Sequence, residues 1–219
     1  MPIASPLSYL APLLQDLARQ WPDNAAIHLV CHGHSVPAGY MATPYVNPFD
    51  AYPHLLHRLL KQRFPYSVLN VIVTAVGGED SVGGSARFAR DVLCHQPRLI
   101  TLDYGLNDRR VGLKAAEAAW RTMIEQALAA GIPVILLTPS WDDSYYRQDE
   151  DWQALTAHAA QIRRLAGAYG VGLCDAFARF EAAVRRPEDL VGLLAYVNHP
   201  SRAGHDLIAQ ELATFFPAQ

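Results

Sequence analysis

Five apolar runs of strand length punctuate the chain, at residues 26–31, 68–76, 99–104, 134–137 and around 171–174. Between and around them, apolar residues recur at helical spacing. Leu10, Leu13, Leu14 and Leu17 mark a helix within 8–20, and Leu55, Leu56, Leu59 and Leu60 mark one at 54–64 that Pro65 stops. Further helices are expected at 82–93, 115–129, 152–169 and 176–184, and a last one at 203–215 capped by Ser201. Gly131 ends the fourth of these and Pro133 opens the next strand. The run at 68–76 is rich in β-branched residues and reads as a buried parallel strand. Strand and helix thus alternate five times. Right-handed crossovers then predict an α/β fold with one parallel sheet covered on both faces. No internal repeat, low-complexity segment or linker divides residues 1–219, which read as one domain.

Polar residues with chemical potential gather where the strands end. The first strand runs into His32-Gly33-His34-Ser35, and a glycine at a strand exit lets the chain turn and presents the next side chain. Gly77-Gly78 follows the second strand, Gly105-Leu106-Asn107-Asp108 follows the third, and His199-Pro200 precedes the last helix. Ester hydrolysis needs a nucleophile, a base and donors for the oxyanion. Ser35 supplies the first and His199 the second. The Ser35 N–H, the Gly78 N–H and the Asn107 amide are the candidate donors. Each stretch alone has an ordinary reading as a turn; the four together carry the signal.

In this order the Ser, Gly, Asn and His blocks resemble the SGNH hydrolases, the GDSL esterase/lipase family, over roughly residues 27–212. The resemblance implies a flavodoxin-like three-layer α/β/α sandwich with a five-stranded parallel sheet, ester hydrolysis without a metal or other cofactor, and the same three oxyanion donors. Two blocks depart from the pattern. The first is usually Gly-Asp-Ser and here is Gly33-His34-Ser35. The last is usually Asp-x-x-His and here Tyr196 stands where the acid would be. A substitute partner for His199 is therefore expected. A main-chain carbonyl near Tyr196 is favoured over a carboxylate from Glu188, Asp189 or Asp142, and over a plain Ser35–His199 dyad with water. Loss of the acid also leaves open a second class of function, a non-catalytic flavodoxin-like carbohydrate or small-molecule binder.

Other side chains take lesser roles. His34, Tyr40 and Trp141 are candidate substrate contacts, the aromatics because the loops at 34–53 and 138–151 would line the cleft and offer rings for stacking. Asp103 and Asp108 flank the Asn block and are expected to brace it. His32-x-His34 with His205 invites a zinc reading, but no ligand set completes it, and no metal is expected. His205 reads as a helix N-terminal residue packing near His199, and His28, His54, His57, His95 and His158 as solvated or packed.

Composition narrows the rest. Of 219 residues, 51% are hydrophobic and 18% charged, enough for a substantial core, and the formal net charge is -3 with no basic block. Nucleic acid and anionic membranes are not expected partners; a small-molecule ester is, and a homo-oligomer is left open. Cys31, Cys94 and Cys174 cannot all pair and lie in or beside apolar runs, so they read as buried free thiols. Neither a signal peptide nor a membrane span is apparent, which points to the cytoplasm, although a mature chain would have lost its leader.

Overall fold

The computed structural model describes residues 1–217. Its centre is a parallel sheet of β1 (Ala26–Gly33), β2 (Val68–Val73), β3 (Leu99–Asp103), β4 (Val134–Leu137) and β5 (Gly172–Cys174), in the order β2-β1-β3-β4-β5. Side chains alternate across it as the pleat requires. Leu29, Cys31, Ile135 and Leu137 join one core cluster, and Val30, Ile100, Leu102, Val134 and Leu136 join the other. The first face is covered by α1 (Ala11–Leu17), α3 (Tyr52–Arg63), α8 (Ala176–Ala183) and α9 (Arg202–Ala213). The second is covered by α4 (Ser81–Asp91), α5 (Gly112–Ala129) and α7 (Glu150–Tyr169). The expected three-layer α/β/α sandwich is therefore the observed one. Short helices α2 (Ser35–Ala38) and α6 (Ser144–Arg147) break the two segments read as loops. Among the described residues, no helix is long and apolar enough to cross a membrane.

Helix starts follow local chemistry. Asp80 caps α4 by accepting the Gly83 N–H, and Ser201 caps α9 by accepting the Gly204 N–H, as expected. Two expectations need correction. The second strand is the sheet edge rather than a buried strand: it spans only Val68–Val73, and Val68 is exposed. β-Branched residues suit an edge as well as a centre, and strand order, which decides between them, is not local information. Cys94 is exposed, because the single 3₁₀ turn Leu93–His95 after α4 points it outward; Cys31 and Cys174 are buried.

The strand order places a switch point between β1 and β3. Chains leaving the carboxyl ends of these two strands diverge and leave a crevice, where ligands bind in open α/β sheets. Ser35 follows β1, Gly78 follows β2 and Asn107 follows β3, so all three blocks open on that rim.

Candidate active site

Gly33 is required at the end of β1 by close approach. A Cβ there would lie 2.5 Å from the Asp103 carbonyl oxygen and 2.8 Å from Pro37 Cγ. With no side chain the strand passes against β3 and turns directly into α2, whose first residue is Ser35. Ser35 is not presented openly as the sequence suggested: it is buried, with Oγ covered by His199. Its N–H is the first of the helix and has no partner among the described residues, which leaves it free to donate.

His199 is held by a narrow antiparallel turn. Leu194 bridges Pro200, and the Ala195 N–H donates to the His199 carbonyl. Its Nε2 lies 3.0 Å from Ser35 Oγ, and its Nδ1 lies 2.9 Å from the Met41 carbonyl oxygen. A carbonyl only accepts, so Nδ1 carries the proton and Nε2 presents its lone pair to the serine hydroxyl. The partner of His199 is thus a main-chain carbonyl, as favoured, but it comes from Met41 and not from the vicinity of Tyr196, whose side chain is exposed. Met41 is positioned by a small hairpin in which Tyr40 bridges Val46 and the Met41 N–H donates to the Tyr45 carbonyl.

The carboxylates considered as substitutes are engaged elsewhere. Asp142 is buried against Arg109 Nη2 at 2.7 Å and accepts the Ser144 N–H. Asp189 accepts the Arg185 and Arg186 N–H groups, and Glu188 is exposed beside Arg186. Alanine at Glu188 or Asp189 is accordingly expected to lower kcat by less than about tenfold, against the ~10⁴-fold loss when a true triad acid is disabled. A ~10⁴-fold loss at either position, in steady-state assays, would identify a hidden acid.

Gly78 has φ +79°, a left-handed conformation that disfavours a side chain, and its missing Cβ faces open space. Its N–H has no partner among the described residues, while its carbonyl accepts from Arg110. Asn107 Nδ2 donates to the Glu79 carbonyl at 2.9 Å, tying the two blocks together and leaving its second amide hydrogen unused by that bond. Behind this turn Arg87 chelates the Glu79 carboxylate, which also accepts from Tyr104 Oη at 3.0 Å. Asp108 accepts from the Ser81 N–H at 2.8 Å and from Trp120 Nε1 at 2.7 Å, pinning α4 to α5. Burial raises its pKa, and those two hydrogen bonds oppose the rise.

Of the candidate substrate contacts, Tyr40 is beside the site. Its ring centroid is 5.9 Å from that of His199, and the ring lies on Gly77, where a Cβ would fall 2.7 Å from it. His34 also contacts Ser35, with Nδ1 3.4 Å from Oγ. Trp141 sits in an aromatic cluster. It is buried and stacked on Tyr145 at 4.7 Å, with Trp152 and Phe177 edging its ring. Its loop folds down onto α7 and α8, because burying several large rings is worth more than leaving them in water.

His32 and His205 have packing roles. His32 places Nδ1 2.9 Å from Thr74 Oγ1 and Nε2 3.2 Å from the Gly84 carbonyl, so both nitrogens are committed. His205 Nδ1 accepts the Tyr52 N–H at 3.2 Å. Among the described residues no group of three His, Cys, Asp or Glu side chains is placed to hold a metal ion. Burial lowers the His32 pKa to about 4, with Arg87 adding to the shift, and lowers that of His205 to about 3, with His199 adding. A histidine whose folded pKa is depressed stabilises the fold fully above its unfolded value near 6.5, and that stability is lost as pH falls below it. Each ring is expected to cost the fold up to about 3 kcal/mol by pH 4. Urea unfolding between pH 7 and pH 4 should show this loss, and it should be smaller in His205→Asn.

Burial also lowers the His199 pKa. The Met41 carbonyl pulls it up and the charge of His34 pulls it down. His199 is therefore neutral at pH 7, the state a general base needs.

The model of the GDSL-like Lipase/Acylhydrolase family matches residues 31–207. The chain belongs to that family. It is accordingly a carboxylic ester hydrolase of the SGNH/GDSL type. No curated protein sequence matches it. Among solved structures it is similar to Axe2, an acetylxylan esterase from Geobacillus stearothermophilus, with a TM-score of 0.76 and 20% identity over 88% of this chain and 95% of that one. It is also similar to LAE5, an alpha/beta hydrolase enzyme from the metagenome of Lake Arreo, Spain, with a TM-score of 0.74 and 21% identity over 87% and 94% of the two chains. At such identities the likeness shows the shared fold. Axe2 has also been solved as catalytic mutants of a serine, a histidine and an aspartate, the aspartate three positions before the histidine. In this chain the position three before His199 is Tyr196.

Proposed function

We propose that this family member hydrolyses small or carbohydrate-linked esters by transient acylation of Ser35. The observation that carries this reading is the contact of His199 Nε2 with Ser35 Oγ at 3.0 Å, while the Met41 carbonyl fixes the tautomer from the other side. Ser35 Oγ attacks the ester carbonyl as Nε2 takes its proton. The carbonyl oxygen becomes an oxyanion and receives hydrogen bonds from the Ser35 N–H, the Gly78 N–H and Asn107 Nδ2. His199 then returns the proton to the leaving alcohol. A water attacks the acyl group by the same route in reverse and frees Ser35.

For the substrate, two exposed rings stand on the loops that carry the machinery. Tyr45 lies in the Met41 hairpin and Tyr196 in the His199 turn. They suit stacking on a sugar ring, the role the sequence suggested for Trp141, and the fold shared with an acetylxylan esterase agrees with an acetylated carbohydrate. Two buried free thiols and one exposed one fit a reducing, cytoplasmic setting.

The decisive measurement is turnover of p-nitrophenyl acetate together with mass spectrometry after a serine-directed phosphonate. Turnover with the label on Ser35 supports acylation there. Absence of both would favour the ligand-binding role that a lost triad acid also permits. Acetylated xylooligosaccharides, compared with the aryl ester by kcat/KM, test the carbohydrate preference.

A further inference from the structure

Two imidazoles contact Ser35 Oγ. His199 approaches Oγ at 3.0 Å through Nε2, and His34 approaches it at 3.4 Å through Nδ1. The Val36 N–H donates to His34 Nδ1 at 3.2 Å, so that nitrogen carries a lone pair and the proton of the neutral ring sits on Nε2. His34 Nε2 is buried, has no hydrogen-bond partner among the described residues, and faces Asp103 Oδ1 at 3.4 Å, within ion-pair range. The Asp103 carboxylate is itself buried. Its main chain holds the same residue, since the His34 N–H donates to the Asp103 carbonyl at 3.3 Å and Gly33 pairs with Asp103 in the β1–β3 register.

A triad acid does two things for its histidine: it fixes the tautomer and it stabilises the imidazolium. Here the Met41 carbonyl does the first and carries no charge for the second. We propose that Asp103, acting through His34, supplies the missing negative charge. This rests on the serine-hydrolase reading of the site. As the proton moves from Oγ to His199 Nε2, positive charge grows on that ring, and His34, which contacts the same Oγ, holds the Asp103 carboxylate at its far nitrogen. The buried setting lets that charge act with little screening. His34 thus replaces the acid usual at its own position with a ring that needs a carboxylate, and Asp103 provides one. Asp103 is a positioning and electrostatic residue: it touches neither Oγ nor, on this view, the substrate.

The test is Asp103→Asn, which keeps shape and removes charge, measured beside wild type and Ser35→Ala on p-nitrophenyl acetate. The titratable neighbours of His199 are His34, His205 and Tyr40, and those of His34 are Asp103, Asp108, Tyr104 and His199. The expected result is a kcat lower by about tenfold or more with KM little changed, and an acid limb of kcat/KM moved down by about one pH unit, because His199⁺ has lost a stabilising charge. In a His34→Asn background the same Asp103→Asn change should have little further effect, as for two groups acting as a unit. An NMR titration of His199 in wild type and Asp103→Asn gives the same shift without reference to turnover. If wild type is inactive or Ser35→Ala retains activity, the serine reading fails, and the titration still decides the charge. An unmoved His199 titration in a folded Asp103→Asn protein, or a variant altered only in melting temperature, overturns the proposal.

Discussion

Ser35→Ala is expected to lower ester hydrolysis by about 10⁴- to 10⁶-fold and to leave a folded protein. The loss is large because, in the proposed mechanism, the hydroxyl both accepts the acyl group and hands its proton to His199. The fold should survive because, among the described residues, the hydrogen bonds of Oγ run to two imidazole nitrogens, at 3.0 and 3.4 Å, and to no backbone group. His199→Ala should fall into the same range, since an unassisted serine hydroxyl is a poor nucleophile. The double variant should then be scarcely slower than either single one, because the two side chains form one device. Residual activity in both comes from the oxyanion donors and from binding. Steady-state kinetics with circular dichroism as a check on folding make the comparison. Multiplicative losses, or an active Ser35→Ala protein, would place the nucleophile elsewhere.

This device is legible in the sequence because of where its parts sit. Ser35, Gly78 and Asn107 each come soon after an apolar run, and in a parallel sheet all such points lie on one rim. Alternation of strand and helix dictates the layers, but not the strand order, which depends on long-range pairing. That is why β2 reads as buried and is an edge. Trp141 and Tyr40 show the limit for single side chains. Both are aromatics in segments beyond a strand end, and only tertiary packing separates the one in the core from the one beside His199. Met41 is invisible for a different reason: it contributes a backbone carbonyl, which every residue has, so its identity carries no signal. Asp103 does carry a signal. It lies in a strand that is otherwise apolar or uncharged, and a buried carboxylate there calls for a partner, which the structure identifies as His34.

The proposed oxyanion donors are the second test of the site. Asn107→Ala is expected to lower kcat by about 10²- to 10³-fold, the usual cost of one such donor, with a much smaller change in KM. The side chain also ties its block to the Glu79 carbonyl at 2.9 Å, so some stability goes with it. One hydrogen bond of that kind is worth about 1 kcal/mol, which in a chain of this size moves Tm by roughly 2–4 °C. A few degrees cannot account for a hundredfold loss in kcat at about 25 °C, so the two contributions separate. Gly78→Ala makes the contrast. It keeps the N–H and meets no neighbouring atom, but it forces a side chain into φ +79° at a cost of about 1–2 kcal/mol. It should therefore lose more stability than Asn107→Ala and less kcat. If instead Asn107→Ala raises KM and spares kcat, the amide positions the substrate in its ground state, and the oxyanion is left to the two backbone N–H groups.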